Sequence, residues 1–154
     1  MVDIKYSQNL YKNKGTLKNI IKDIKLHNSD TVIEIGAGKG VITEELVKYC
    51  DNVIAYELDN KYFEILEELF KDNHNIVLRN QDFITSTLPN KEYKIFANIP
   101  FSLTSDIINK ITGSNSKLIE AYLFVQKESS ERYMGIPKSR SEERRVGKEC
   151  RSRW

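Results

Sequence analysis

Val32-Ile33-Glu34-Ile35-Gly36-Ala37-Gly38-Lys39-Gly40 decides the architecture of this chain. A short apolar run broken by one acid, followed at once by glycines at alternate positions, reads as a buried strand entering a tight turn. Glycine lets the backbone double back and come close to a ligand. Beyond the turn, Ile42, Leu46 and Val47 mark a helix, whose first N–H groups suit an anion or carboxylate. Lys39 is not the lysine of a nucleoside-triphosphate loop, because G-x-x-x-x-G-K-[ST] is absent. Taken alone, the glycines fit a dinucleotide site or a plain tight turn equally well.

The alternation continues on both sides of this stretch. Leu17, Ile20, Ile21 and Ile24 recur at helical spacing between lysines, which predicts an amphipathic helix over Gly15–Leu26. Val53–Tyr56 predicts a second strand, about Asn60–Leu69 a helix, Ile76–Leu78 a third strand and Tyr93–Ala97 a fourth. Ser105–Ile111 predicts a further helix, and Ile119–Val125 a fifth strand, the most apolar of the set. Strands and helices alternating at this spacing imply a parallel sheet covered on both faces. In such sheets ligands bind beyond the carboxyl ends of the strands, near the point where strand order reverses. The residues just after each strand are therefore the informative ones: the glycine loop, Glu57, Asp82 and Asn98.

Each of these has a chemical reading and a plainer one. Glu57 lies seventeen residues past Gly40, where a carboxylate can accept hydrogen bonds from both hydroxyls of a ribose. Asp59 is placed to cap the following helix instead. With Glu34 as a second acid, the pattern favours a nucleoside-containing cofactor over a bare turn. Asp82 can accept from the amino group of an adenine or serve as a turn residue, and Phe83 can pack beside a ring or fill the core. Asn98-Ile99-Pro100-Phe101 is the most specific string. A side-chain amide and a nearby backbone carbonyl can hold both hydrogens of an exocyclic amine, so that the nitrogen lone pair faces a methyl donor. Proline fixes the backbone, and Phe101 can stack on the base. This is catalysis by orientation, with no metal or strong base required. Upstream, Tyr6, Gln8, Asn9 and Tyr11 combine amides with aromatics that can close one side of a cofactor pocket.

Composition narrows the class. The 154 residues suit one domain with a real core, and no apolar run is long enough to cross a bilayer. The opening MVDIKYSQN has no signal-like stretch, so the cytoplasm is expected. Two cysteines exclude a disulfide scaffold, and two separated histidines with no Cys/His cluster argue against a zinc site. From Lys138 onward seven basic and three acidic side chains give +4, against +2 for the whole chain, so residues 1–137 carry −2. This last stretch lacks apolar periodicity and reads as a disordered or non-native basic tail, or as a basic RNA-binding tail.

Taken together, the motifs resemble those of the ribosomal RNA adenine-N6 dimethyltransferases, most closely the 23S rRNA methylases that confer macrolide-lincosamide-streptogramin B resistance. Tyr6-Ser7-Gln8-Asn9 resembles the family's N-terminal motif and Glu34–Gly40 its glycine-rich motif. Glu57 resembles the ribose-binding acid, Asp82 the adenine-contacting acid and Asn98–Phe101 the catalytic motif. Gln126-Lys127-Glu128 resembles the turn after the fifth strand. The chain departs from the family at Leu10-Tyr11, where phenylalanine then leucine is usual, and at Phe101, where tyrosine is usual. Stacking does not need the tyrosine hydroxyl.

The resemblance implies a Rossmann-like methyltransferase domain over residues 1–137, with S-adenosylmethionine as cofactor and 23S rRNA as partner. It implies successive methyl transfers to N6 of one adenine, and drug resistance as the result. Asn9, Tyr11, Gly36, Gly38, Glu57, Asp82 and Asn98 would contact the cofactor, and Asn98, Pro100 and Phe101 would hold the base. The alternatives are a housekeeping dimethylase of small-subunit rRNA and an inactive RNA-binding fragment. Family members continue with further strands and a small helical RNA-binding domain, and imply a monomer. The expectation for this chain is therefore a sheet incomplete at its C-terminal side, prone to edge-mediated aggregation, with poor stability and little activity.

Overall fold

The computed structural model describes residues 14–24, 26–114 and 116–124. Among them the elements run α1 (Lys14–Asp23), β1 (Thr31–Ile35), α2 (Thr43–Leu46), β2 (Asn52–Tyr56), α3 (Asn60–Phe70), β3 (Ile76–Arg79), β4 (Tyr93–Asn98), α4 (Thr104–Ile111) and β5 (Leu118–Phe124). Short 3-10 turns occupy Phe83–Thr85 and Phe101–Leu103.

The five strands form one sheet in the order β3-β2-β1-β4-β5, every neighbouring pair parallel. This is the Rossmann-like arrangement of S-adenosylmethionine-dependent methyltransferases. β1 lies at the centre and all five of its residues are buried, which is why its sequence is a nearly continuous apolar run. Successive side chains of a strand point to opposite faces. Ile33 and Ile35 therefore join Ile95 and Ala97 in the core beneath α4, where Ile107 and Ile111 pack. Val32 joins Val53 and Phe96 on the other face, covered by Leu17 and Ile21 of α1 and Leu46 of α2. Leu66 and Phe70 of α3 close over Ala37 and Ala55 on the side of α2.

Two helices differ from the sequence expectation. α1 stops at Asp23 instead of Leu26, because the chain turns on itself just beyond. His27 N–H donates to Asp30 Oδ2, and Asp30 N–H donates to the His27 carbonyl, both at 2.9 Å. Such local bonds compete with helix continuation. The helix expected after the glycine loop is a single four-residue turn. It is flanked by tighter i to i+3 bonds, Glu45 N–H to Ile42 O at 3.0 Å and Lys48 N–H to Glu45 O at 3.1 Å.

β1 and β4 are adjacent in the sheet although about sixty residues separate them, and the strand order reverses between them. Ile35 pairs with Ala97, so Gly36 and Asn98 are the next residues along, side by side at the carboxyl edge. Tyr56 pairs with Ile35 on the other side, which brings Glu57 to the same edge. The sheet thus gathers three of the four informative positions at its switch point, and Asp82 follows one strand further out.

Candidate functional site

The glycine loop is bolted to the end of β2. The amides of Gly36 and Ala37 both donate to the Tyr56 carbonyl, at 2.9 and 3.1 Å. Gly36, Gly38 and Gly40 have φ of +74°, +55° and +79°, left-handed values that favour glycine. The first and last of these glycines meet different surroundings. A Cβ on Gly40 would meet Leu66 Cδ2 at 3.0 Å and the Phe70 ring at 3.1 Å, so this glycine admits the close approach of α3. A Cβ on Gly36 would meet nothing within 4 Å. That open space lies at the carboxyl edge of the central strand.

Glu57 organises the neighbouring edge. Its carboxylate is largely buried; Oε2 accepts the Gly38 amide at 2.7 Å and Oε1 the Asp59 amide at 2.8 Å. One side chain thus ties the glycine loop to the start of α3. Asp59 takes the capping role, its Oδ1 accepting Lys61 N–H at 2.8 Å. The two acids therefore divide the work, and Glu57 keeps further lone pairs for a ligand's hydroxyls. Between them Leu58 is 67 % exposed. An apolar side chain held out among carboxylates at a strand end offers a face to a flat ring. The residue pattern did not single out Leu58, because beside Tyr62 and Ile65 it reads as one more position of a helix stripe.

Asp82 takes the turn reading: its Oδ1 accepts the Ile84 amide at 2.8 Å and caps the 3-10 turn. It lies two residues past Asn80, whose side-chain amide donates to the Glu57 carbonyl at 3.1 Å. Phe83 takes the core option: it is buried and meets Tyr56 edge to face at 5.3 Å between ring centroids.

Asn98 is the half-buried last residue of β4. After it, Ile99 N–H continues the sheet to the Phe124 carbonyl at 2.9 Å. The Pro100 carbonyl accepts from both Leu103 N–H and Thr104 Oγ1, each at 3.1 Å. These two bonds lock the motif onto the start of α4. The Phe101 side chain, and Tyr6, Gln8, Asn9, Tyr11 and the basic stretch from Lys138, lie outside the described residues.

Beneath the loop, Glu34 is 1 % exposed. Its Oε2 accepts from Thr43 Oγ1 at 2.6 Å, and its Oε1 is buried with no partner. Burial pushes its carboxyl up to about 8, opposed by the Thr43 hydroxyl and reinforced by the charge of Glu57.

Among the described residues no group of three or more His, Cys, Asp or Glu side chains is placed to hold a metal ion, and no helix is long and apolar enough to cross a membrane. A groove of about 700 Å³ runs between α1 and β5, lined by Ile20, Ile24, Lys94, Glu120 and Phe124 among others. It touches none of Gly36, Glu57, Asp82 and Asn98. The strand ends are the better candidate, because several polar groups converge there.

Comparison with known proteins agrees with the fold. A family model described as ribosomal RNA adenine dimethylase matches residues 2–147. An rRNA adenine N-6-methyltransferase of Escherichia coli is 39 % identical over 135 residues, covering 87 % of this chain and 55 % of its own length. The ribosomal RNA small subunit methyltransferase A of Mycoplasma mobile is 39 % identical over 126 residues, covering 81 % of this chain and 49 % of its own. The crystal structure of the 23S rRNA methyltransferase ErmE superposes with a TM-score of 0.72 at 28 % identity, over 78 % of this chain and 49 % of that one. The chain spans about half the length of these relatives.

Proposed function

Because the chain belongs to the ribosomal RNA adenine dimethylase family, we propose that it carries the cofactor- and base-binding half of an enzyme that transfers methyl groups from S-adenosylmethionine to N6 of one adenine in 23S rRNA, giving macrolide-lincosamide-streptogramin B resistance. The observation that carries this reading is the convergence of Gly36, Glu57 and Asn98 at one edge of the sheet, with Asp82 following β3 one strand further out. The residues fit the cofactor. Gly36 borders open space, Glu57 retains acceptor capacity for a ribose, and Leu58 offers an apolar face.

When bound, S-adenosylmethionine supplies an electrophilic methyl on a positively charged sulfur. The chain's own residues do the rest by placement. Asn98 accepts one hydrogen of the target amine through its side-chain oxygen. The Pro100 carbonyl is committed to Leu103 and Thr104, which leaves the Ile99 carbonyl as the second acceptor. Held this way, the amine keeps its lone pair directed at the methyl. In the same proposal Phe101 stacks on the base, and Asn9 and Tyr11 close over the cofactor.

The small-subunit reading has its own support, since the Mycoplasma mobile relative is as identical, 39 %, as the Escherichia coli one, over 126 residues against 135. Transfer of labelled methyl from S-adenosylmethionine separates the two. Protein-free 23S rRNA and 16S rRNA are offered in parallel, and the modified base is mapped. The expected label is on N6 of one 23S adenine, at a low rate from a chain that spans about half of its relatives, and Asn98→Ala should lower that rate about a hundredfold or more. Label on 16S rRNA alone would move the chain to the housekeeping type. Rate-normal Asn98→Ala would remove the proposed base-holding role.

A further inference from the structure

Lys110, in the last turn of α4, reaches back across the molecule to the turn after β3. Its Nζ donates to the Ile84 carbonyl at 2.8 Å and to the Ser86 carbonyl, and it lies 5.4 Å from the centre of the Phe83 ring. All three contacts belong to the segment that begins with Asp82. The same segment packs its Phe83 edge to face on Tyr56, the residue before Glu57. At the other end of α4, Thr104 Oγ1 holds the Pro100 carbonyl at 3.1 Å. An eight-residue helix with Ile107 and Ile111 buried in the core therefore has the base-holding motif fixed to its start and the adenine-side turn fixed near its end.

We infer that Lys110 is a positioning residue for cofactor binding: its ammonium fastens the Asp82–Ser86 turn to the helix that anchors Asn98–Phe101, so that cofactor and target base are held in one frame. This rests on the proposed reading of the site. The physical ground is that backbone carbonyls in a partly buried turn need donors, and a lysine bonded to two of them defines the turn's position far better than a solvated one. Lys110 touches neither the cofactor nor the base; it acts through Asp82 and Phe83.

The test compares the full chain with Lys110→Met, which keeps the stem and loses the donors, and Lys110→Arg, which restores them. Cofactor affinity is measured by calorimetry with S-adenosylhomocysteine. Hydrogen exchange is followed at the amides of Ile84 and Ser86, whose acceptors are Asp82 Oδ1 and the Phe83 carbonyl. Lys110→Met should weaken binding about tenfold and speed exchange at both amides by a similar factor, while exchange at β1 and β4 stays as in the parent. Lys110→Arg should recover most of both losses. Unchanged affinity in Lys110→Met would overturn the inference. So would faster exchange spread evenly over β1 and β4, which would mark Lys110 as a general stabiliser. If the parent does not bind S-adenosylhomocysteine, the reading of the site fails and the positioning role falls with it; if the parent binds and the variant binds equally, only the role of Lys110 fails.

Discussion

Gly38 and Glu57, nineteen residues apart, are joined by a 2.7 Å hydrogen bond from the Gly38 amide to Oε2, and the other carboxylate oxygen takes the Asp59 amide. The residue proposed to hold a ligand's ribose thus also holds the glycine loop. Glu57→Gln replaces one acceptor by an NH2 group that must face an amide donor. Loss of that bond is expected to cost about 1–2 kcal/mol of stability and to weaken cofactor binding by about tenfold or more. Denaturant titration and calorimetry on the same preparation read the two effects. A variant with normal stability and normal affinity would show that the carboxylate does neither job.

The two outer glycines of the loop should fail in different ways when changed to alanine. Both have positive φ, which costs an alanine about 1–2 kcal/mol. Gly40→Ala also drives its methyl into Leu66 and Phe70, so the expected total is about 2–3 kcal/mol. Gly36→Ala meets no protein atom and should lose only the strain energy. Its methyl occupies open space that the proposed site gives to the ligand, so its affinity for S-adenosylhomocysteine should fall more than that of Gly40→Ala. The reverse ranking would place the ligand elsewhere.

Glu34 makes a pH prediction whose sign follows from its raised value. Below about 4.5 the carboxyl is protonated folded and unfolded alike, and it carries no penalty. Between 4.5 and about 8 the unfolded chain gives up the proton and the folded chain keeps it, so stability falls as pH rises through that window. Above about 8 the effect levels off. Glu34→Gln has no proton to lose. Relative to the parent it should gain stability steadily from pH 5 to pH 8 in denaturant titrations. Parallel curves for the two proteins would mean that Glu34 is charged in the fold.

Lys94 is a charge inside the sheet. Its Nζ bridges Asp30 at 2.9 Å and Glu120 at 3.3 Å, and Tyr122 donates to the same Glu120 at 2.9 Å. Burial pulls the Asp30 carboxyl upward, but the His27 amide and the Lys94 ammonium outweigh it and hold it below its usual value. This contribution is present above about 3.8 and is lost as pH falls through the lower folded value. Lys94→Met leaves two carboxylates facing each other and should cost about 1–3 kcal/mol near neutral pH. The loss should shrink in acid, where the carboxylates protonate. A pH-independent loss would assign the effect to packing.

What could be read from residue types was set by burial and chain continuity. β1, the glycine loop and the strand ends were legible because a buried parallel strand must be apolar throughout, and because its loop needs positive φ at Gly36, Gly38 and Gly40. Between Glu57 and Asp59 the strand end favours Glu57 as the ligand residue, and the hydrogen bonds assign the cap to Asp59. The shortness of α2 was hidden, because Ile42, Leu46 and Val47 satisfy helical spacing whether the turns between them are α or tighter. Lys110 was illegible for a deeper reason. Its partners are main-chain carbonyls 26 and 24 residues upstream, and carbonyls leave no mark in a sequence.

The strand order also dictates a timetable. β1 and β2 pair across a connection of sixteen residues, and β2 and β3 across nineteen, so the loop and the Glu57 side of the site close through short excursions of the chain. β1 meets β4 only after residues 93–98 exist. Long-range pairings are slow to form, and a growing chain folds from its N-terminus. The glycine loop and Glu57 can therefore be in place while the strand that ends at Asn98 is still being made.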